Sequence, residues 1–190
     1  MRAFIAISLP QEIKDSLSEI QKELKKSKAD VKWVKPDNIH LTLKFLGEIP
    51  EAKSAEISKV IENIAQETNA FVLSLSTLGT FPPGRSPHII WAGLNKGDKE
   101  TKELTNRLEK NLEDLGFPLE ERSFTSHITI ARVKSAVNID KLNDSLGIAK
   151  QALALKPQEC LAKSLGFFKS SLTSTGPIYE TLKEANLKNA

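Results

Sequence analysis

Two stretches, His40-Leu-Thr-Leu43 and His127-Ile-Thr-Ile130, repeat one pattern of histidine, aliphatic residue, threonine and aliphatic residue. In a β-strand successive side chains point to opposite faces, and two residues span about 7 Å. Each stretch therefore predicts a strand with an imidazole and a hydroxyl on one face and two aliphatic side chains against a core. The chain has three histidines and eleven threonines. The chance that two of the three histidines precede a threonine by two positions is about one in a hundred.

The sequence around these stretches alternates between strand-like and helix-like hydrophobic periods, which is typical of α/β and α+β proteins. Four helices are predicted, over residues 10–28, 50–66, 98–115 and 138–149. Strands are predicted over residues 2–9, 31–34, 39–46, 70–78, 88–94, 127–133, 152–156, 160–169 and 177–187. The order of a strand, a helix and a pair of strands occurs twice. It indicates two related lobes that face one another rather than a doubly wound parallel sheet.

Length and composition limit the class of protein. The 190 residues correspond to one domain of two packed lobes, and 39% hydrophobic residues are enough for a core. No apolar run reaches the 18 or so residues that cross a bilayer, and residues 2–9 are interpreted as a strand rather than a signal peptide. A cytoplasmic monomer is therefore expected. The single cysteine, Cys160, excludes an internal disulfide and a multi-cysteine metal site and is predicted to be a buried apolar residue.

Two imidazoles on rigid strands suit the cleavage of a phosphodiester. In-line cleavage needs a base for the nucleophile and an acid for the leaving oxygen, and histidine holds either protonation state near neutral pH. The hydroxyls of Thr42 and Thr129 can donate hydrogen bonds to the phosphate oxygens. Metal binding is the alternative use of paired histidines, but a catalytic zinc site needs three protein ligands and neither motif carries a carboxylate. His88 has Ile90 two positions later and is predicted to be structural.

With these motifs in place, the sequence resembles the two-histidine (2H) phosphoesterase superfamily, and within it the RNA 2',3'-cyclic phosphodiesterases, also labelled 2'-5' RNA ligases. The resemblance extends over essentially the whole chain. Its blocks are Met1-Arg-Ala-Phe-Ile-Ala-Ile7, Trp33-Val-Lys-Pro-Asp-Asn-Ile-His-Leu-Thr-Leu-Lys-Phe-Leu-Gly47, Ile90-Trp-Ala-Gly-Leu94, Ser126-His-Ile-Thr-Ile-Ala-Arg132 and Ser171-Leu-Thr-Ser-Thr-Gly-Pro-Ile-Tyr-Glu180. Residues Thr125-Ser126 depart from the proline that many members have before the second motif.

The resemblance implies an α+β fold of two pseudo-symmetric lobes, each an antiparallel sheet with helices on its outer face, with the active-site groove between them. It also implies hydrolysis of RNA 2',3'-cyclic phosphate ends, including those of tRNA, to 2'-phosphomonoesters without ATP, metal or any other cofactor. By motif position His40 is the proton donor, His127 is the proton acceptor, and Thr42 and Thr129 bind the phosphate.

Two further side chains are candidates for substrate binding. Lys44 lies on the His40 face if the strand stays regular, and Phe45 then faces the core. Arg132 follows the second motif and contacts either RNA or the other lobe through an ion pair. Trp33 and Trp91 either stack a base or belong to the core.

Three rival functions stay open. The first is an RNA-binding module without catalysis, the second is a 2'-5' ligase of tRNA halves, and the third is an enzyme for small cyclic nucleotides. In the last case residues 79–87 and 170–177 would set the size of the substrate.

Overall fold

The computed structural model describes residues 1–174 and 176–190. Within these residues the chain forms two antiparallel sheets and four α-helices. The strands are β1 (Arg2–Ser8), β2 (Val31–Trp33), β3 (His40–Glu48), β4 (Phe71–Phe81), β5 (Ile89–Lys96), β6 (His127–Val133), β7 (Gln158–Ala162), β8 (Ser164–Thr173) and β9 (Gly176–Asn186). The helices are α1 (Gln11–Lys25), α2 (Ser54–Gln66), α3 (Asp98–Glu113) and α4 (Ile139–Leu155).

The first sheet has the strand order β3-β1-β8-β9, and the second has the order β2-β6-β5-β4-β7. All neighbouring strands are antiparallel. Helices α2 and α3 pack against the first sheet, whereas α1 and α4 pack against the second. The α+β prediction of two lobes is thereby confirmed.

Each lobe is built from both halves of the chain. The motif strand β3 and its neighbour β1 come from the first half, but the next strand of the first sheet, β8, comes from the second half. In the second sheet β6 comes from the second half, whereas β4 and all of β5 except Lys96 come from the first. The helices cross in the same way, because α1 follows β1 yet packs on the second sheet, and α3 follows β5 yet packs against β3.

Two strand predictions were wrong. Residues 152–156 belong to α4, in which Leu142, Ala149 and Leu153 are buried at helical spacing. The alternation of alanine and leucine at the end of this helix imitates the period of a strand. Residues 160–169 were predicted as one strand, but β7 pairs with β4 in the second sheet and β8 pairs with β1 in the first. A continuous apolar stretch does not reveal a change of sheet.

Leu153 and Leu155 would lie on the same face of a strand, but they lie on different sides of the helix α4. Leu153 is 5% exposed and Leu155 is 88% exposed. Leu153→Ala should lower the free energy of unfolding by about 2–5 kcal/mol, and Leu155→Ala should change it by less than about 0.5 kcal/mol. Urea denaturation of both variants measures the difference. Equal losses would support the strand.

Candidate active site

The two motif strands face each other across one groove. Strands β3 and β6 are in contact, and the groove between the sheets has a volume of about 520 Å³. His40 and Thr42 line it from the first sheet, and Thr129 and Arg132 line it from the second. The aliphatic residues of both motifs are fully buried, as the strand pattern predicts.

His127 precedes Thr129 by two residues on β6 and so shares its face. It also lies near enough to His40 for its charge to lower the pKa of that histidine. The two His-x-Thr motifs are therefore brought together, although they are 87 residues apart in the chain.

Each motif histidine is held by the same backbone contact. The Nδ1 atom of His40 lies 2.7 Å from the carbonyl oxygen of Asn38, and that of His127 lies 2.8 Å from the carbonyl oxygen of Thr125. Because a carbonyl only accepts hydrogen bonds, Nδ1 must carry a hydrogen in both rings. The Nε2 atom is left as the nitrogen that can accept or donate a proton in chemistry.

The two imidazoles differ in their aromatic surroundings. His40 stacks on Phe4 at a centroid distance of 4.8 Å and meets the edge of Tyr179 at 5.3 Å. His127 makes edge contacts with Phe81 at 5.1 Å and with Trp91 at 6.4 Å. Burial lowers the pKa of His40 to about 4, with smaller lowering effects from the charges of Lys14 and His127. The hydrogen bond to Asn38 opposes this shift.

A β-bulge in each motif strand changes which side chain follows the threonine on the groove face. In β3 the partners of Ile5 and Ala6 are Lys44 and Thr42, so Leu43 is the extra residue. In β6 the partners of Ile90 and Trp91 are Ala131 and Thr129, so Ile130 is the extra residue. An extra residue reverses the alternation beyond it. The side chains that reach the groove are therefore those five positions after each histidine.

The bulge in β3 overturns two predictions. Phe45 was expected in the core, but it lines the groove and is 60% exposed. Lys44 was expected to line the groove, but it is 3% exposed and forms an ion pair with Glu109 of α3, at 2.7 Å. Its ammonium group also donates a hydrogen bond to the carbonyl oxygen of Pro118 at 3.0 Å. Lys44 therefore cannot contact a ligand in the groove.

The bulge in β6 settles the orientation of Arg132. A regular strand would turn this side chain away from His127, but the extra residue Ile130 directs it into the groove. No carboxylate among the described residues forms an ion pair with it. Of the two roles left open for Arg132, this position favours contact with a ligand.

Several groove residues were not predicted from the sequence. Arg2, on the first sheet, and Lys32 and Lys35, on and just after β2 of the second, add positive charge to the groove that Arg132 lines. None of the described residues that line the groove is Asp or Glu. The net charge of +3 hides this concentration of charge because acidic side chains lie elsewhere. The one sequence signal that could have found Lys32 and Lys35 is their position within and directly after the predicted strand 31–34.

The tail of the chain closes one side of the groove. Ser170, Leu172, Gly176 and Pro177 line it, whereas residues 79–87 are absent from the described lining. Asn38, two residues before His40, donates a hydrogen bond of 2.8 Å to the carbonyl oxygen of Pro177. The tail motif 171–180 contains Thr175, which lies outside the described residues. Tyr179 of the same motif contacts His40 and was not singled out from the sequence.

The other residues considered from the sequence differ in their relation to the groove. His88 is exposed at the start of β5 and bonds through its backbone to Phe81 and Val133. Trp33 lines the groove and has the ammonium group of Lys25 5.6 Å from its ring centroid. Trp91 packs against Phe81 and, at a longer distance, against His127. Cys160 is half-buried, and burial raises the pKa of its thiol to about 11.

Neither a cluster of metal ligands nor a membrane-spanning helix occurs within residues 1–174 and 176–190. No group of three or more His, Cys, Asp or Glu side chains in these residues is placed to hold a metal ion. No helix in them combines the length and the apolar character that crossing a membrane requires.

The buried ion pair predicts a loss of stability rather than of ligand contact when Lys44 is replaced. Lys44→Met leaves the Glu109 carboxylate buried without its cation and should cost about 3–5 kcal/mol of the free energy of unfolding. Lys35→Met, on the exposed wall of the groove, is the matched control and should cost less than about 0.5 kcal/mol. Urea denaturation measures both. Equal small losses would contradict the ion pair.

The lowered pKa of His40 predicts a dependence of stability on pH. Between pH 6.5 and about 4 the unfolded chain binds a proton at His40 that the folded protein does not bind. The free energy of unfolding should therefore fall as the pH falls through this window, by at most about 3 kcal/mol from this histidine. His40→Gln should show a smaller fall. Denaturation at pH 7 and pH 4.5 tests this, and parallel falls would refute it.

Comparison with known proteins agrees with the repeated pattern. A family model described as LigT-like phosphoesterase matches the chain twice, over residues 7–91 and 94–179, and each match contains one motif. A relative in Methanocaldococcus jannaschii is 35% identical over 97% of this chain and 99% of its own length. One in Thermotoga maritima is 35% identical over 99% of this chain and 96% of its own. Both are named RNA 2',3'-cyclic phosphodiesterase.

Solved structures share the two-lobed fold. A crystal structure of a protein from Thermus thermophilus superposes with a TM-score of 0.80 at 26% identity, covering 98% of both chains. The crystal structure of Escherichia coli LigT complexed with 3'-AMP has a TM-score of 0.77 at 25% identity, covering 99% of this chain and 98% of that one.

Proposed function

We propose that this chain, which belongs to the LigT-like phosphoesterase family, hydrolyses RNA 2',3'-cyclic phosphate ends to 2'-phosphomonoesters. The observation that carries the proposal is the packing of two His-x-Thr strands against each other across one groove. The name of the relatives, RNA 2',3'-cyclic phosphodiesterase, supports this substrate. The chain would then be a hydrolase acting on RNA ends, including those of tRNA.

The reaction needs one proton removed from the attacking water and one delivered to the leaving oxygen. The neutral Nε2 of one motif histidine takes the proton from water, whose oxygen attacks phosphorus. The bond from phosphorus to O3' breaks, and the protonated Nε2 of the other histidine donates its proton to O3'. The hydroxyls of Thr42 and Thr129 donate hydrogen bonds to the non-bridging oxygens, on which negative charge grows. Neither hydroxyl is hydrogen-bonded to another described residue.

The assignment of His40 as proton donor and His127 as proton acceptor stays a prediction. Burial favours neutral His40 in the free protein, since its pKa is about 4. A donor must be protonated, so this assignment requires the bound phosphate anion to raise that pKa. The reverse assignment uses His40 in the neutral form that burial favours. Exchange of the two roles would leave the overall reaction the same.

The wall of the groove fits an RNA end. Arg2, Lys32, Lys35 and Arg132 line it without acidic neighbours in the described lining, which favours a polyanion over a neutral ligand. Phe45 presents an exposed ring on which a base can stack. Lys44 is no longer proposed to bind substrate, whereas Arg132 is.

No metal or other cofactor is part of the proposed reaction. This rests on the motifs, in which each histidine is accompanied by a threonine, a poor metal ligand, rather than by a carboxylate or a cysteine. We further propose that residues 1–190 form one bilobal domain, since each sheet contains strands from both halves. The cytoplasmic location and the monomeric state stay predictions.

Alanine variants of the two histidines test the proposed function. His40→Ala and His127→Ala should each lower kcat on an RNA oligonucleotide with a 2',3'-cyclic phosphate end by about 100-fold or more, because each loses one proton transfer. His88→Ala is the matched control and should keep wild-type kcat. EDTA should leave the wild-type rate unchanged. Product analysis by mass spectrometry should show a 2'-phosphate.

Other outcomes of this assay would favour the rival functions. Binding of the RNA without turnover would indicate a binding module. Joining to an added 5'-hydroxyl RNA in preference to hydrolysis would indicate a ligase, and turnover of cyclic mononucleotides alone would indicate a small-molecule enzyme. A rate lost to EDTA would revive the metal site.

A further inference from the structure

Both motif strands carry a bulge at the same position relative to their histidine. Leu43 and Ile130 are the extra residues, and each lies three positions after the motif histidine. As a result Phe45 and Arg132, five positions after His40 and His127, both line the groove. Without the bulges these two side chains would face the helices, because a shift of one residue moves every later side chain to the other face of a sheet.

In β6 the extra residue of the bulge accepts a hydrogen bond from the side chain of Gln21. This glutamine lies on α1 and is 2% exposed. Its side-chain amide donates two hydrogen bonds of 2.8 Å, one to the carbonyl oxygen of Ile130 and one to that of Val34. The same Ile130 carbonyl accepts a hydrogen bond of 3.0 Å from the backbone N–H of Val34. The carbonyl of the extra residue is therefore bonded on the side of β6 away from β5, by the helix side chain and by the residue that follows β2.

In β3 the corresponding support is the buried pair of Lys44 and Glu109. Lys44 directly follows the extra residue, and its ammonium group lies 2.7 Å from a carboxylate oxygen of Glu109 on α3. The side chains of the two residues are 2% and 12% exposed. The same carboxylate oxygen accepts a hydrogen bond from the backbone N–H of Glu120 at 3.2 Å. Because this ion pair holds the side chain of Lys44 toward α3, the next side chain, Phe45, points into the groove.

The two supports occupy equivalent places in the repeated sequence. Gln21 lies 19 residues before His40, and Glu109 lies 18 residues before His127. Each is on the helix that follows the central strand of one half, and each acts on the motif strand of the other half, because α1 packs against β6 and α3 packs against β3. The exchange of helices between lobes therefore places a buried polar side chain behind each bulge.

We infer that Gln21 and the Lys44–Glu109 pair are positioning residues that maintain the two bulges and thereby aim Arg132 and Phe45 into the groove. They touch no ligand themselves. Without Gln21 a buried carbonyl loses a hydrogen-bond donor, and without Glu109 the buried charge of Lys44 loses its partner. A regular ladder without the bulge then becomes the more favourable arrangement of the strand. The inference rests on the proposed function for its effect on turnover, but the geometry of the bulges can be tested without it.

A double-mutant cycle tests whether Gln21 acts through Arg132. Gln21→Met, a change of similar volume that removes both donors, should raise the KM for cyclic-phosphate RNA roughly tenfold with a smaller change in kcat, since the histidines and threonines precede the bulge. Arg132→Met should do the same. The double variant should lose no more than Arg132→Met alone. Gln11→Met, on the exposed face of the same helix, should behave as wild type. Multiplicative losses in the double variant would overturn the inference.

The second bulge provides an equivalent cycle with its own readout. Glu109→Gln keeps a hydrogen-bond acceptor for Lys44 but removes the charge, and its effect on KM should disappear in a Phe45→Ala background. If it persists there, the pair supports only stability. All variants are compared at a temperature at which thermal unfolding shows them to be folded.

A measurement independent of activity separates this inference from the proposed function. If the wild-type chain does not hydrolyse cyclic-phosphate RNA, the proposed function fails, and the bulge is then examined by amide hydrogen exchange of residues 129–133. Exchange should be faster in Gln21→Met than in wild type and in Gln11→Met. Unchanged exchange would show that Gln21 does not hold the bulge.

Discussion

The groove depends on the packing of β3 against β6, because these two strands carry every group proposed to act on phosphate. Each strand buries its aliphatic residues in one sheet and presents a histidine and a threonine to the other. A rigid sheet behind each imidazole matters for in-line chemistry, in which an acid and a base must stand on opposite sides of one phosphorus atom. The hydrogen bonds from Nδ1 to the backbone at Asn38 and Thr125 fix the rings in the same way on both sides.

The exchange of strands and helices between the halves explains how a duplicated sequence makes one site. The LigT-like phosphoesterase model matches each half separately. Yet β4 lies in the second sheet and β8 in the first, so neither half supplies all the strands of its own lobe. A half alone would leave unpaired strand edges, which proteins generally avoid. The strands that the halves exchange therefore help to hold the two motifs opposite each other.

Equivalence in sequence does not make the two histidines equivalent in chemistry. His40 is stacked on Phe4 and covered by Tyr179, and burial lowers its pKa, whereas His127 meets its aromatic neighbours only edge-on. An acid and a base must hold opposite protonation states, and burial favours the neutral state of His40 in the free protein. The basic wall formed by Arg2, Lys32, Lys35 and Arg132 then adds a field that favours an anionic substrate.

The sequence by itself determined the motif strands, the two lobes and the face of each strand on which His40, Thr42, His127 and Thr129 lie, because a period of two assigns each side chain to a face. It could not determine the faces of residues that lie beyond an irregularity in a strand. Lys44 and Phe45 were assigned to the wrong faces and Arg132 was left undecided, since an extra residue directly after each motif threonine reverses the alternation. Those bulges depend on Gln21 and Glu109, which approach from helices distant in the chain. Only the tertiary structure could bring these partners together, because local periodicity contains no information about contacts between distant segments.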